Sequence, residues 1–292
     1  MDQFIKAEKE LEIEQIIRDI SNKVKVRDYI GGIIADEWIL EGTRSTINRV
    51  FKDIGTSYGK KLYLLDDYIN KGYILGTSNG IIAGAFPNDL IRTEHDLHLG
   101  LGNEGRFILD LREYGNILIS GLSGYGKSAC IENIIKSVDG YAELVVIDPH
   151  NCLPNCISDI RQKGSELKAL QNIEREMKMR LLGKSYNKRI VVVIDEVDSR
   201  MDTLGITIDN LLKECRKVGI SVICATHSGH HKDIPKNIIN GFQAYIGFRL
   251  NTISQARMLN VSGAENIEEK GRAIVRTNNY VKPLICYFGQ RV

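Results

Sequence analysis

Between the apolar run Ile117, Leu118, Ile119 and a segment in which Ile131, Ile134, Ile135 and Val138 recur at helical spacing, the chain reads Gly-Leu-Ser-Gly-Tyr-Gly-Lys-Ser over 121–128. A strand must therefore run into a tight loop, and a helix must begin where the loop ends. Gly121, Gly126, Lys127 and Ser128 fill the spacing G-x-x-x-x-G-K-[ST], and Gly124 adds further backbone freedom. Without Cβ atoms these glycines let successive N–H groups turn into one concavity, and the helix start adds its partial positive charge. Such a loop holds a polyphosphate, so Gly121, Ser123, Gly124, Tyr125, Gly126, Lys127, Ser128 and Ala129 are the expected nucleotide contacts. Lys127 would neutralise the β- and γ-phosphates of ATP, and the Ser128 hydroxyl would be a ligand of Mg²⁺.

A second feature lies downstream. Five apolar residues, Ile190 to Ile194, read as a buried central strand that ends in Asp195 and Glu196. Asp195 would hold the Mg²⁺ through its water shell, and Glu196 would orient and polarise the water attacking the γ-phosphate. A further strand, 144–148, lies between the two motifs in sequence and ends in Asp-Pro-His-Asn. That insertion, with a glutamate directly after the aspartate, is the pattern of hydrolysing motor ATPases rather than of small-molecule kinases. Near the end of another apolar run stand Thr226 and His227, a polar pair placed to sense the γ-phosphate.

Around these motifs short apolar runs alternate with helix-length segments. Strands are expected at 106–111, 117–120, 144–148, 190–194, 220–225, 244–248, 272–276 and 284–288, and helices at 128–138, 165–182 and 207–218. The fold class is α/β, a largely parallel wound sheet with a few late antiparallel strands. Residues 1–90 carry no chemical motif and read as a small, mostly helical accessory domain: an amphipathic pattern runs from Leu11 to Val24, and 43–72 look helical again. The motor domain is then 91–292.

The formal charge of +2, from 39 Lys and Arg against 37 Asp and Glu, excludes a broadly basic nucleic-acid surface, so any such contact must be local. The six cysteines follow no signal-like segment, and no apolar run is long enough to cross a bilayer, which predicts reduced thiols and a cytoplasmic protein anchored, if at all, by a partner. Cys130 and Cys224 read as core residues, and His150, Cys152 and Cys156 lack paired metal-ligand spacing.

The stretches NILISGLSGYGKS, VVVIDEVDSRMD, LLKECRKVGISVICATH and NGFQAYIGFRLNTISQARMLNVSGAENI, in that order, resemble the motor domain of the FtsK/SpoIIIE/HerA superfamily over about 96–288. The resemblance implies a RecA-like P-loop NTPase core, a homo-oligomeric ring, usually a hexamer, and double-stranded DNA in its pore. It implies an arginine acting on a neighbouring subunit's ATP. Arg216 stands where relatives carry one, with Arg249 and Arg257 in reserve. DNA-facing loops are expected at 199–206 and 228–237, bearing Arg200, His230, His231, Lys232 and Lys236. His227 departs from the glutamine that relatives often carry there. The implied activity is ATP-driven DNA translocation for a mobile element, plasmid or phage, recruited by a membrane-anchored or element-encoded partner. A secretion-type ATPase acting on a polypeptide and a nucleotide-dependent binding module are the alternatives.

Overall fold

The computed structural model describes residues 15, 25–31, 36–57, 62–68, 71–76, 83–148, 153, 165–184, 188–227 and 233–288. Four strands near the N-terminus, β1 (Lys25–Gly31), β2 (Asp36–Glu41), β3 (Leu62–Tyr68) and β4 (Lys71–Gly76), form an antiparallel sheet in the order β1-β2-β4-β3, and α1 (Arg44–Ser57) joins its second and third strands. Among the described residues this corrects the mostly helical expectation for 1–90. Leu62, Leu65 and Ile69 satisfy helical spacing, but the same run alternates well enough to pair as a hairpin in which Tyr68 faces Lys71. The amphipathic pattern of 11–24 lies outside the described residues apart from Gln15, which is helical.

The second sheet has nine strands. In chain order its elements are β5 (Asp96–Gly102), β6 (Gly105–Asp110), β7 (Asn116–Ser120), α2 (Lys127–Val138), β8 (Glu143–Ile147), α3 (Glu166–Leu181), β9 (Ile190–Ile194), α4 (Met201–Glu214), β10 (Ile220–Thr226), α5 (Lys236–Ile239), β11 (Ala244–Gly247), α6 (Ile253–Met258), β12 (Arg272–Thr277) and β13 (Val281–Cys286). The spatial order is β6-β5-β13-β12-β11-β7-β10-β9-β8. From β11 to β8 every pairing is parallel, whereas from β11 to β6 every pairing is antiparallel. The parallel part is the wound core expected from the sequence, and the rest extends it by one edge.

Burial on both faces explains the apolar runs. Every residue of β7, β9, β10 and β11 is buried. Leu118, Val192, Ile194 and Cys224 join the core with Leu170 of α3 and Ile208 and Leu211 of α4. Ile117, Ile119, Val191, Val193 and Ile223 pack on the opposite face with Cys130, Ile131 and Ile134 of α2. Cys130 and Cys224 are thus small core residues, as read.

One boundary moves with a consequence. The segment 199–206, expected as a DNA-facing loop, is a short 3₁₀ turn (Val197–Arg200) leading into α4. Leu204, Gly205, Ile208, Leu211 and Leu212 are buried at helical spacing, so the helix starts six residues earlier than 207. Arg200 is not held out for a ligand either: its Nη1 donates to Glu166 Oε1 at 2.9 Å, and Glu166 is buried. Of the other loop, 228–232 lie outside the described residues, and Lys236 is exposed at the start of α5.

Candidate functional site

Strand register gathers the chemistry at one edge. Thr226 pairs with Ser120, Cys224 with Ile194, and Ile147 with Ile194, so β7, β8, β9 and β10 end side by side. From these ends emerge the loop 121–126, Asp148, Asp195, Glu196 and His227. The chain after β7 crosses to β8 at the far side while β11 closes the near side, so the loop opens at the point where winding reverses, the usual place for a ligand in an open α/β sheet.

The loop is held from three directions. Leu122 N–H donates to the Arg249 carbonyl at 2.8 Å, Gly271 N–H donates to the Tyr125 carbonyl at 2.9 Å, and Phe248 fills the space beneath. A Cβ on Gly121 (φ 147°) would sit 2.6 Å from Phe248 Cβ, and one on Gly126 (φ 121°) 2.9 Å from Phe248 Cε1. Both glycines are therefore demanded by backbone angle and by contact. Ser123, Gly124 and Ser128 are exposed around the concavity, and Tyr125 and Ala129 are half-buried.

Lys127 is only 5% exposed. Its ammonium donates to the carbonyls of Gly121 (2.8 Å) and Leu122 (3.1 Å) and lies 2.8 Å from His227 Nδ1. Burial pulls its pKa down to about 8, against the attraction of Asp195, Asp198 and Glu196, in that order. Asp195 is buried at the end of β9, where its N–H donates to the Ile147 carbonyl at 3.0 Å. Burial raises its carboxyl pKa, the Glu196 N–H donating to Oδ1 at 3.0 Å opposes this, and repulsion from Glu196 and Asp148 adds to it. The phosphate-loop lysine and the strand-end aspartate thus share one electrostatic cluster.

Glu196 adopts a left-handed backbone (φ 50°, ψ 48°), one of two non-glycine residues with positive φ among those described. Its Oε1 lies 3.4 Å from His227 Nε2, and the His227 N–H donates to Asp198 Oδ1 at 3.4 Å. A side chain without β-branching tolerates this angle at a cost of about 1–2 kcal/mol, which the fold accepts where a carboxylate must leave a strand end sideways.

Arg216 lies elsewhere. It follows α4 in a 3₁₀ turn (Cys215–Val218), packs over Gly115, and donates from Nη1 to the Glu113 carbonyl at 3.1 Å. That is the opposite end of β7 from the loop. Arg249 sits by its own loop, 5.9 Å over the Tyr125 ring, and donates to the Ile267 carbonyl. Arg257 is exposed on α6. Sequence reading passed over Asp198, and it noted Asp148 without giving it a role. Both stand at or just beyond strand ends, a signal that was legible. Phe248 and Gly271 brace the loop from distant segments, which no local pattern reveals. Among the described residues no group of histidines, cysteines and carboxylates could hold a metal by itself, and His150, Cys152 and Cys156 fall outside them.

The family model of ATPases associated with various cellular activities (AAA) matches residues 117–250. The DNA translocase FtsK of Chlamydia muridarum (strain MoPn / Nigg) is 27% identical, the match covering 62% of this chain and 29% of that protein. Over these residues the chain is similar to the AAA ATPases and to FtsK DNA translocases. Like this relative, the other FtsK proteins it matches are far longer, and the chain spans under a third of their length. Among solved structures, the pCW3 conjugation coupling protein TcpA, a monomer form with ATPγS, superposes with a TM-score of 0.66 at 19% identity, covering 96% of this chain and 95% of that one. ATPases 2 and 3 of Thermomonospora curvata EccC, in complex with a signal sequence peptide, superpose with a TM-score of 0.59 at 15% identity, covering 72% and 43%. The chain thus shares its fold with both. Among its described residues no helix is long and apolar enough to cross a membrane.

Proposed function

We propose that the chain is an ATP-hydrolysing motor that moves double-stranded DNA, working as a homo-oligomeric ring, hexameric as in its superfamily, for a mobile element, plasmid or phage. The observation that carries this reading is the single cluster in which Lys127 lies 2.8 Å from His227, and His227 3.4 Å from Glu196, with Asp195 beside it, at the edge where four strands end. The loop amides and Lys127 bind the phosphates, Ser128 and Asp195 face the cation, Glu196 polarises the attacking water, and Arg216 serves the next subunit. A hydroxyl and one carboxylate are the sparse protein donor set that Mg²⁺ accepts when phosphates and water complete its shell, so the residues fit that ion. When bound, it supplies charge neutralisation at the phosphates.

DNA as the polymer is supported by the relatives named as DNA translocases and by the conjugation coupling protein. A ring multiplies each weak contact, so a chain of charge +2 suffices. The division at residue 90 falls in the connection between the first sheet, which ends at Gly76, and the second, which begins at Asp96. A polypeptide substrate is the second reading, favoured by the peptide-bound EccC neighbour. The test is the ATP turnover rate with and without duplex DNA, alongside basic and apolar peptides. Several-fold stimulation by duplex is expected, and indifference to DNA with a response to peptide transfers the assignment.

The lysine sets a pH limit on this site. With a pKa of about 8 in the free protein, Lys127 is a cation below pH 8 and neutral above it. Triphosphate favours the charged form, so binding above pH 8 must take up a proton, and affinity falls by up to about tenfold per pH unit there. The carboxylates facing it, Asp195, Asp198 and Glu196, favour the charged lysine, opposing burial. Calorimetric ATPγS titrations at pH 7, 8 and 9 check this; a flat affinity excludes it.

A further inference from the structure

We infer that His227 is a positioning residue that ties Glu196 to Lys127 in the nucleotide-free site and releases it when the lysine turns to the phosphates. The inference rests on the ATPase reading above and adds the order of events within it. An ammonium has three donors and no acceptor. Those of Lys127 are matched by three acceptors, the Gly121 and Leu122 carbonyls and His227 Nδ1. Because the lysine can only donate, Nδ1 must carry the lone pair, which leaves the ring proton on Nε2. That nitrogen faces Glu196 Oε1 at 3.4 Å. The lysine therefore chooses the tautomer, and the tautomer gives the ring a donor for the carboxylate.

The relay spans three strands. Lys127 follows β7, His227 follows β10 and Glu196 follows β9, and β10 lies between the other two in the sheet. Two further bonds fix its geometry: Asp198 Oδ1 accepts the His227 N–H at 3.4 Å, and the Ser199 hydroxyl donates to the Glu196 carbonyl at 2.9 Å. With all three donors engaged, a phosphate oxygen can gain Lys127 only by displacing an acceptor. Two of these belong to the loop itself. The third sits on another strand, so its loss is the event that reaches Glu196. The ring then has no partner fixing its Nδ1 lone pair, and Glu196 is freed toward the water only after the triphosphate has seated.

Two measurements separate the relay from the function it serves. In ligand-free wild-type protein, nitrogen-15 correlation spectra of His227 are expected to show an unprotonated Nδ1 and a protonated Nε2, with a displaced Nδ1 signal in Lys127→Met. This needs no nucleotide, so it judges the relay even if the chain binds no ATP, an outcome that would overturn the functional reading instead. In the second, His227→Ala removes a competing acceptor and is expected to bind Mg·ATPγS roughly fivefold more tightly, since a typical hydrogen bond is worth about that factor. His227→Gln, whose carboxamide can accept from the lysine and donate to the carboxylate, is expected to restore the wild-type affinity; His227→Phe, which keeps only the ring shape, is not. A protonated Nδ1 in the free protein, or weaker binding in His227→Ala with Phe restoring the affinity better than Gln, overturns the inference.

Discussion

Replacing Glu196 by glutamine is expected to lower ATP turnover by about 10²- to 10⁴-fold, the range a positioned general base contributes, while Mg·ATPγS affinity stays within about twofold of wild type. The substitution is nearly isosteric, and its carbonyl oxygen can still accept from His227 Nε2, 3.4 Å from the present carboxylate oxygen. What disappears is the negative charge that polarises water. In the proposed site the phosphate contacts come from the loop and Lys127, which the change does not touch, so the loss should fall on kcat and leave binding alone. Three other carboxylates stand nearby. Asp195 is buried with a raised pKa and carries the Glu196 N–H, Asp148 accepts the Leu153 N–H, and Asp198 accepts the His227 N–H. Each already has a structural partner at the backbone. Single-turnover rates for Glu196→Gln and Asp198→Asn decide between them: an unimpaired Glu196→Gln with a strongly impaired Asp198→Asn moves the base role to Asp198.

The parts of the molecule that could be read beforehand are those where one local pattern has a single physical solution. Ile190 to Ile194, all buried and followed by two acids, admits only a central strand, and the observed strand has those same bounds. The loop 121–128 behaves the same way, because its spacing and flanking periodicities agree. Reading failed where a pattern had two solutions. In 62–76 a short amphipathic run suits a helix or a hairpin, and only a partner strand, β2 pairing β4 from Glu37↔Leu75 onward, settles it. In 199–206 the family resemblance implied a DNA-facing loop. Gly205 is instead packed inside a helix, where a Cβ would meet Met201 Sδ at 3.0 Å, a contact that comes from packing. The site shows the same division. Its residue types were legible, but the bond from Lys127 to His227 spans a hundred residues and two strands, and only the register of the sheet creates it.

Arg216→Ala is expected to reduce turnover at least about 10³-fold in the assembled protein, the scale of an arginine supplied to a transferring phosphoryl group, with nucleotide affinity of the separate chain unaltered. Geometry makes this a claim about neighbours. Arg216 packs over Gly115, just before β7, whereas the phosphate loop begins after β7 ends, five residues later. At roughly 3.3 Å per residue the strand alone separates them by about 16 Å, so the guanidinium cannot reach its own site. The turn that presents it is firmly seated: Cys215 Sγ donates to Asn116 Oδ1 at 3.1 Å, and the same oxygen accepts the Val222 N–H at 3.2 Å. An exposed arginine anchored in this way, with one bond to the Glu113 carbonyl, is available to a second copy docking on that edge. Were its role confined to that surface bond, the change would cost about 1 kcal/mol of stability or less and leave turnover intact. Mixing separates the two cases. Arg216→Ala chains retain a working loop and Lys127→Ala chains retain the arginine, so junctions of one with the other hold one complete site, and a mixture should regain activity that neither variant has alone. Arg216→Lys should recover little, since a point charge does not reproduce the planar fork. If Arg216→Ala proves fully active, the exposed Arg257 on α6 inherits the role, because Arg249 is already engaged beside its own Tyr125.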